Sequence, residues 1–142
     1  MRSLPKTLAI SSIIVGSVQA VQSLMTMLNP IYQDIGAAAY WLLLPAVLFI
    51  SGGIMLSRGY AAARYAVGLL FAGQVAVCLY RFTADYIVGG AGLQQGMFWL
   101  AIGLVLLIPA QILLFSRTLT AELAAASANR GAPPADLAVN EG

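Results

Sequence analysis

Four long apolar segments, separated by short polar connections, organise the chain. They cover residues 7–28, 37–57, 65–86 and 96–116. A helix needs about 20 mostly apolar residues to cross a bilayer, and each segment reaches that length. Because short connections force neighbouring helices to run antiparallel, the pattern predicts an all-α, up-and-down four-helix transmembrane bundle over residues 1–116.

The connections and the C-terminal tail are rich in turn-forming and polar residues. NPIYQDIG (29–36) begins with Asn-Pro, which is a signal for the end of a helix. RGYAAAR (58–64) is a tight basic turn, and IVGGAGLQQG (87–96) is rich in glycine. From residue 117 the chain becomes alanine-rich, and later it contains glycine and two prolines. We expect residues 117–142 to form a tail with a short helical extension of the last span, followed by a flexible end.

Composition supports a membrane setting. Hydrophobic residues make up 61% of the chain and charged residues only 8%, with a mean hydropathy of +0.88. Charged residues usually make up about a quarter of a soluble domain, so a chain this short cannot cover a water-facing surface. We therefore expect the lipid bilayer to be its main partner. The net charge of +2, without a cluster of basic residues, gives no indication of nucleic-acid binding.

The basic residues predict how the bundle is oriented. Six of the seven fall on one side of the predicted layout, and only Arg81 approaches the other side. The positive-inside rule then places both termini in the cytoplasm. We expect a multi-pass protein of a plasma membrane, and specifically of a bacterial cytoplasmic (inner) membrane. The six residues are Arg2, Lys6, Arg58, Arg64, Arg117 and Arg130.

The first apolar segment also has features of a signal peptide. It has a basic start, an apolar middle and the sequence Val-Gln-Ala at residues 18–20. The apolar run nevertheless continues to residue 28, which is full spanning length. We therefore expect an uncleaved first helix. Cleavage would leave three helices with the C-terminus on the same side.

Polar and small side chains recur at helical spacing on the first and third spans. At about 100° per residue, these positions fall into narrow stripes along each helix. Lipid penalises exposed polar groups, so the stripes should face the bundle interior or a partner protein. The polar stripes are Ser12, Gly16, Gln19, Ser23 and Thr26 on the first span, and Gln74, Cys78, Arg81 and Asp85 on the third. The expected helix-packing seams are Ser12, Gly16 and Ala20, and Gly68, Ala72 and Ala76.

Arg81 is the main candidate for chemistry, because a charge within a membrane span indicates function by default. In one interpretation Arg81 forms an ion pair with Asp85, four residues later, and anchors the end of the helix. In the other it lines an outward-open polar pocket for an anionic or zwitterionic group such as a lipid head group. The candidate residues for the pocket or ion pair are Arg81, Asp85, Gln74, Gln19 and Thr26.

Catalytic chemistry is poorly represented in the sequence. The chain has no histidine, and its one cysteine, Cys78, lies in a span. No arrangement of nucleophile, base or metal ligands is visible, so we expect no enzyme activity, catalytic residue, cofactor or metal site.

The function expected from these features is that of an accessory or assembly subunit of a larger membrane complex. Such a subunit would act through helix–helix contacts with partner subunits or with further copies of itself. The alternative is a small oligomeric transporter or channel, or a lipid-binding protein with an outward-facing polar pocket around Arg81.

Overall fold

The computed structural model describes residues 3–29, 38–90 and 92–131, with only the helical backbone for residues 38–42. Its helices are α1 (Leu4–Leu28), α2 (Ala38–Ser57), α3 (Ala61–Arg81), α4 (Leu93–Phe115) and α5 (Arg117–Gly131), and a π-helical segment, Phe82–Val88, continues α3. The predicted all-α fold is confirmed. Outside the described residues lie Arg2, most of the connection predicted at 29–36, and the tail beyond residue 131.

Within the described residues, three helical stretches are long and apolar enough to cross a membrane. They are Leu4–Leu28, Ala61–Val88 and Leu93–Phe115, whereas the apolar part of α2 that the structure describes in full, Leu43–Ser57, is shorter. Three of the four predicted spans therefore meet the requirement of length and composition.

Helices α1 and α2 form an antiparallel hairpin in which their backbones come unusually close. A Cβ atom added to Gly16 would lie 2.9 Å from the carbonyl oxygen of Ala46, and one added to Gly53 would lie 2.9 Å from a carbonyl oxygen of α1. The hydroxyl group of Ser12 donates a hydrogen bond of 2.7 Å to the Phe49 carbonyl oxygen. The small-residue seam of α1 is therefore used inside the molecule, where it allows close packing.

Helices α3 and α4 form a second antiparallel hairpin, which also depends on glycine. A Cβ atom on Gly68 would lie 2.7 Å from the Leu114 side chain, and one on Gly96 would lie 2.7 Å from the Tyr86 ring. Helix α4 thus supplies a large side chain opposite a glycine near one end of the hairpin, and a glycine opposite an aromatic ring near the other.

The hydrophobic core joins the two hairpins and lies near one end of the bundle. The rings of Phe49 and Phe71, both fully buried, meet edge to face with their centroids 5.0 Å apart. This end of the molecule contains the start of α1, the turn between α2 and α3, and α5. We call it the basic end. The core cluster consists of Leu8, Ala9, Phe49, Leu56, Ala63, Val67, Phe71, Ala110, Leu113, Leu119 and Leu123.

The structure corrects the prediction that the last span simply extends beyond residue 116. The chain breaks at Ser116, whose backbone is extended and whose hydroxyl oxygen accepts a hydrogen bond from the Leu119 N–H at 3.3 Å. This is the geometry of a serine that caps a new helix. Leu119 and Leu123 on α5 are almost completely buried. Helix α5 is therefore a separate helix, docked across the basic end by an apolar pair.

Arg64 at the start of α3 holds α4 and α5 together. Its side chain is only 4% exposed. It donates hydrogen bonds to the carbonyl oxygens of Leu113 and Leu114 at the end of α4, and to the Thr120 hydroxyl group on α5. The last carbonyl groups of a helix lack partners within the helix and carry partial negative charge, so a guanidinium group is well matched to them.

Arg130 fixes the other end of α5 in a similar way. Its guanidinium group donates a hydrogen bond to the Gly59 carbonyl oxygen and lies 4.6 Å from the centroid of the Tyr60 ring. Gly59 has a φ angle of +77°, a conformation that glycine adopts without steric cost. Two of the six basic residues that predict orientation therefore also hold the fold together.

Candidate functional site

The candidate site is a cleft between the two hairpins, at the end of the bundle remote from the core. Helix α1 packs along α2, and α3 packs along α4, but α1 and α4 barely touch. Near the core, α1 presents the small residues Ser12 and Gly16, whereas one turn further along the same face it presents Gln19. Ser12 and Gly16 pack against α2, whereas Gln19 lines the gap between the hairpins, which opens toward the end that carries Arg81.

The cleft has a polar arm of about 330 Å³. Four of the five residues proposed for a pocket from the sequence line it, namely Gln19, Thr26, Gln74 and Arg81. These four side chains come together because the polar stripes of α1 and α3 face each other across the cleft. The described residues that line it are Gln19, Gln22, Ser23, Thr26, Pro45, Gln74, Val77, Arg81 and Trp99.

An apolar arm of about 260 Å³ continues the cleft toward the middle of the bundle. Five residues line both arms, so the two are parts of one cleft: Gln19, Gln22, Gln74, Val77 and Trp99. The rest of the apolar arm is formed by Ile14, Val15, Val18, Cys78, Phe98, Ile102 and Leu106. The cleft is therefore amphipathic along its length, with an arginine at one end and aliphatic side chains at the other.

Two buried polar atoms at the junction of the arms have no hydrogen-bond partner within the described part of the chain. They are the Gln19 side-chain oxygen and the Trp99 indole nitrogen. Leaving a buried donor or acceptor unpaired costs about 1–3 kcal/mol, so such atoms call for an explanation. Both belong to residues that line both arms, which is where a bound molecule would meet them.

Arg81 and Asp85 are not brought together as an ion pair. The structure describes both residues, and no carboxylate oxygen of the described residues lies within the 4.0 Å of the Arg81 guanidinium group that such a pair requires. Asp85 is half-buried and is not among the residues that line the cleft, whereas Arg81 is exposed and lines the polar arm.

The residues that follow Arg81 form the π-helical segment, and its geometry determines where their side chains lie. The Gly89 N–H bonds to the carbonyl oxygen of Ala84, five residues earlier, which is the wider π pattern. The rings of Phe82 and Tyr86 stack with centroids 5.5 Å apart, and Tyr86 packs on the glycine surface of α4 at Gly96. The π-helical segment therefore packs on α4 at the Arg81 end. Such segments are rare and frequently occur at functional sites.

The remaining residues singled out from the sequence have varied environments. The Thr26 hydroxyl group donates to the Gln22 carbonyl oxygen on its own helix at 2.9 Å. Ala20 and Ala72 are half-buried, and Ala76 is exposed. Sequence reasoning missed Gln22 and Trp99 as lining residues. Gln22 lies three residues after Gln19, and this helical spacing could have indicated that both line the same cleft.

The cleft has a small set of polar groups. Its described lining residues provide hydrogen-bond donors and acceptors and one cation, but no carboxylate or imidazole group that could act as a general base. Comparison with known proteins finds no matching family model, no matching curated protein and no matching solved structure. The functional argument therefore depends on the cleft itself.

Proposed function

We propose that the protein is a four-span integral membrane protein that binds an amphiphilic molecule in the cleft between its hairpins. In this proposal α2 is the fourth span, the basic end faces the cytoplasm of a bacterial cell, and both termini are cytoplasmic. Large apolar side chains exposed on the outer faces, such as Leu69, Val105 and Phe115, support contact with lipid.

The observation that carries the proposal is the pair of unpartnered polar atoms, on Gln19 and Trp99, at the junction of the polar and apolar arms. A molecule with a polar head and an aliphatic chain would pair with these atoms and fill the apolar arm. From Thr26 to Ile14, α1 rises by about 18 Å along the cleft, enough for an extended hydrocarbon chain.

The position of the cleft also suits a ligand that comes from the bilayer. Since α1 and α4 barely touch beside it, the cleft faces the surrounding lipid between these two helices. An amphiphile would move into it sideways and keep its chain in apolar surroundings throughout. This favours a membrane-soluble ligand over a water-soluble one.

The binding test uses Trp99 as its own reporter. In a Trp41→Phe background, Trp99 is the single tryptophan of the chain. We expect an amphiphile with a brominated chain to quench its fluorescence saturably in neutral-detergent micelles. Val77→Phe, which places a ring at the junction of the arms, should weaken the apparent affinity at least tenfold.

The control for this test is Leu69→Phe, a similar enlargement on the same helix at a position that lines neither arm and is 66% exposed. It should leave quenching unchanged. Quenching that rises without saturation and to the same extent in all three proteins would mean that the probe only partitions into the micelle, and would contradict the proposal.

A second candidate function is that of an accessory subunit, and the outer face of α3 favours it. Apart from the adjacent backbone of α3, no described atom lies within 4 Å of a Cβ atom added to Gly73, and Ala62, Ala66 and Ala76 along the same helix are exposed. Small residues at such a surface allow another helix to approach closely. Unlike Ser12, Gly16 and Gly68, these residues are not used for packing within the molecule.

The accessory-subunit proposal predicts a partner that depends on this face. Affinity purification from native membranes, followed by native mass spectrometry, should recover a stoichiometric foreign subunit with the natural chain. Gly73→Phe should lose that subunit, while Leu104→Phe, on an exposed position of α4, should keep it. Recovery of only monomers or homo-oligomers of the natural chain would exclude this function.

A further inference from the structure

The groups along the polar arm of the cleft determine which charge it prefers on the head group of a ligand. A hydrocarbon chain gains little by leaving lipid for an apolar cleft, because lipid tails are as apolar as the side chains that replace them. For a ligand that comes from the bilayer, discrimination therefore depends on its head group. The relevant atoms are those of the polar arm and of its junction with the apolar arm.

The described lining of that arm combines one cation, Arg81, with neutral amide, hydroxyl and indole groups. Arg81 has five N–H donors and no acceptor, and the Trp99 indole nitrogen is also only a donor. Within the part of the chain that the structure describes, Arg81 forms no ion pair and no acidic residue lines either arm. A cationic head group would meet an unneutralised guanidinium group there. An anionic head group would instead form charge-assisted hydrogen bonds, which are roughly twice as strong as neutral ones.

We propose that the cleft selects single-chain amphiphiles with an anionic oxygen head group, a phosphate or a carboxylate, and that Arg81 is the residue that selects them. This inference rests on the proposed binding function. The Trp99 N–H donates to an oxygen of the head group, and the Gln19 oxygen accepts from a hydroxyl group next to it. The chain of the ligand lies along the aliphatic residues of the apolar arm.

The test compares amphiphiles that share one alkyl chain and differ only in the head group. Alkyl phosphate, alkyl carboxylate, alkyl alcohol and alkyl trimethylammonium compete with the brominated probe for Trp99 in neutral-detergent micelles. We expect the phosphate and the carboxylate to bind at least tenfold more tightly than the alcohol, and the trimethylammonium compound to bind most weakly.

Variants at Arg81 assign the preference to this residue. Arg81 is exposed and forms no side-chain hydrogen bond within the described residues, so its replacement should leave the fold intact. Arg81→Gln should lower the affinity for the anionic amphiphiles to that for the alcohol. The affinity for the alcohol should not change. Arg81→Lys should keep part of the preference. Arg58→Gln, at an exposed arginine of the basic end, should keep all of it.

Each other outcome has a definite meaning. Equal affinity for all head groups, or a preference that survives in Arg81→Gln, would overturn the inference and leave the binding function standing. Inorganic phosphate that competes as well as alkyl phosphate would also overturn it, because the head group alone would then be the ligand. Absence of saturable binding by any amphiphile would instead remove the proposed function itself.

Discussion

Arg64→Ala is expected to lower the free energy of unfolding by about 3 kcal/mol, one of the two largest effects predicted for this chain. The buried guanidinium group of Arg64 supplies hydrogen bonds to two carbonyl groups at the end of α4 and to the Thr120 hydroxyl group. Alanine would remove these hydrogen bonds and leave acceptors buried without a donor. It would also leave a space where α3, α4 and α5 meet.

Two measurements check this prediction. Unfolding by titration with a denaturing detergent in mixed micelles gives the change in free energy. Limited trypsin digestion reports whether α5 is released, because cleavage after Arg117 should become faster when the contact to Thr120 is lost. We expect both changes in the same variant.

Arg64→Lys and Arg58→Ala complete the series. Lysine keeps the charge but concentrates it on one ammonium group, which does not reproduce the planar set of donors, so its effect should be intermediate. Arg58 lies in the turn just before α3 and is exposed, and its loss should change stability by less than about 0.5 kcal/mol. If Arg58→Ala destabilised the protein as much as Arg64→Ala, the structural role assigned to Arg64 would be wrong.

Gly16→Ala is expected to destabilise the protein by about 2 kcal/mol, although alanine is the better helix former. An added Cβ atom would lie 2.8 Å from the Ile50 side chain and 2.9 Å from both the Ala46 carbonyl oxygen and the Phe49 Cβ atom. Backbone atoms cannot rotate away, so α1 and α2 must move apart. That movement would also lengthen the hydrogen bond from Ser12 to the Phe49 carbonyl oxygen.

The matched control is Gly73→Ala, in the interior of α3. Apart from the adjacent backbone of α3 itself, no described atom lies within 4 Å of the added Cβ atom there, so only the helix propensity changes. We expect a stabilisation of about 0.5–1 kcal/mol. The opposite signs of the two substitutions, measured in the same unfolding experiment, distinguish tertiary packing from local propensity. If both variants were stabilised, the close approach of α1 and α2 would be disproved.

Local patterns in the sequence were sufficient to predict the helices. Apolar runs of spanning length predict helices wherever the surroundings are apolar, since each backbone group must then be paired within its own segment. The same patterns placed Gln19, Thr26, Gln74 and Arg81 on stripes that line one cleft. These inferences depend only on helix periodicity and on the cost of exposing polar groups to lipid.

The same information did not reveal the roles of Arg64, Ser116 and Asp85. Arg64 resembles any other basic residue at a helix end until the end of α4 is placed beside it. Ser116 lies within a sequence that is compatible with a continuous helix, and the burial of Leu119 and Leu123 on the basic end accompanies the break. Asp85 has the spacing of an ion-pair partner for Arg81, but it lies in the π-helical segment and the pair is not formed.

The sequence alone predicts where the helices lie, their polar and small-residue stripes, and their alternating direction. Which stripe meets which depends on the tertiary structure: Ser12 and Gly16 meet α2, whereas Gln19 and Gln74 line the cleft between the hairpins. The physical reason is that periodicity is a property of one helix, whereas the distance between two helices depends on the side-chain volumes of both.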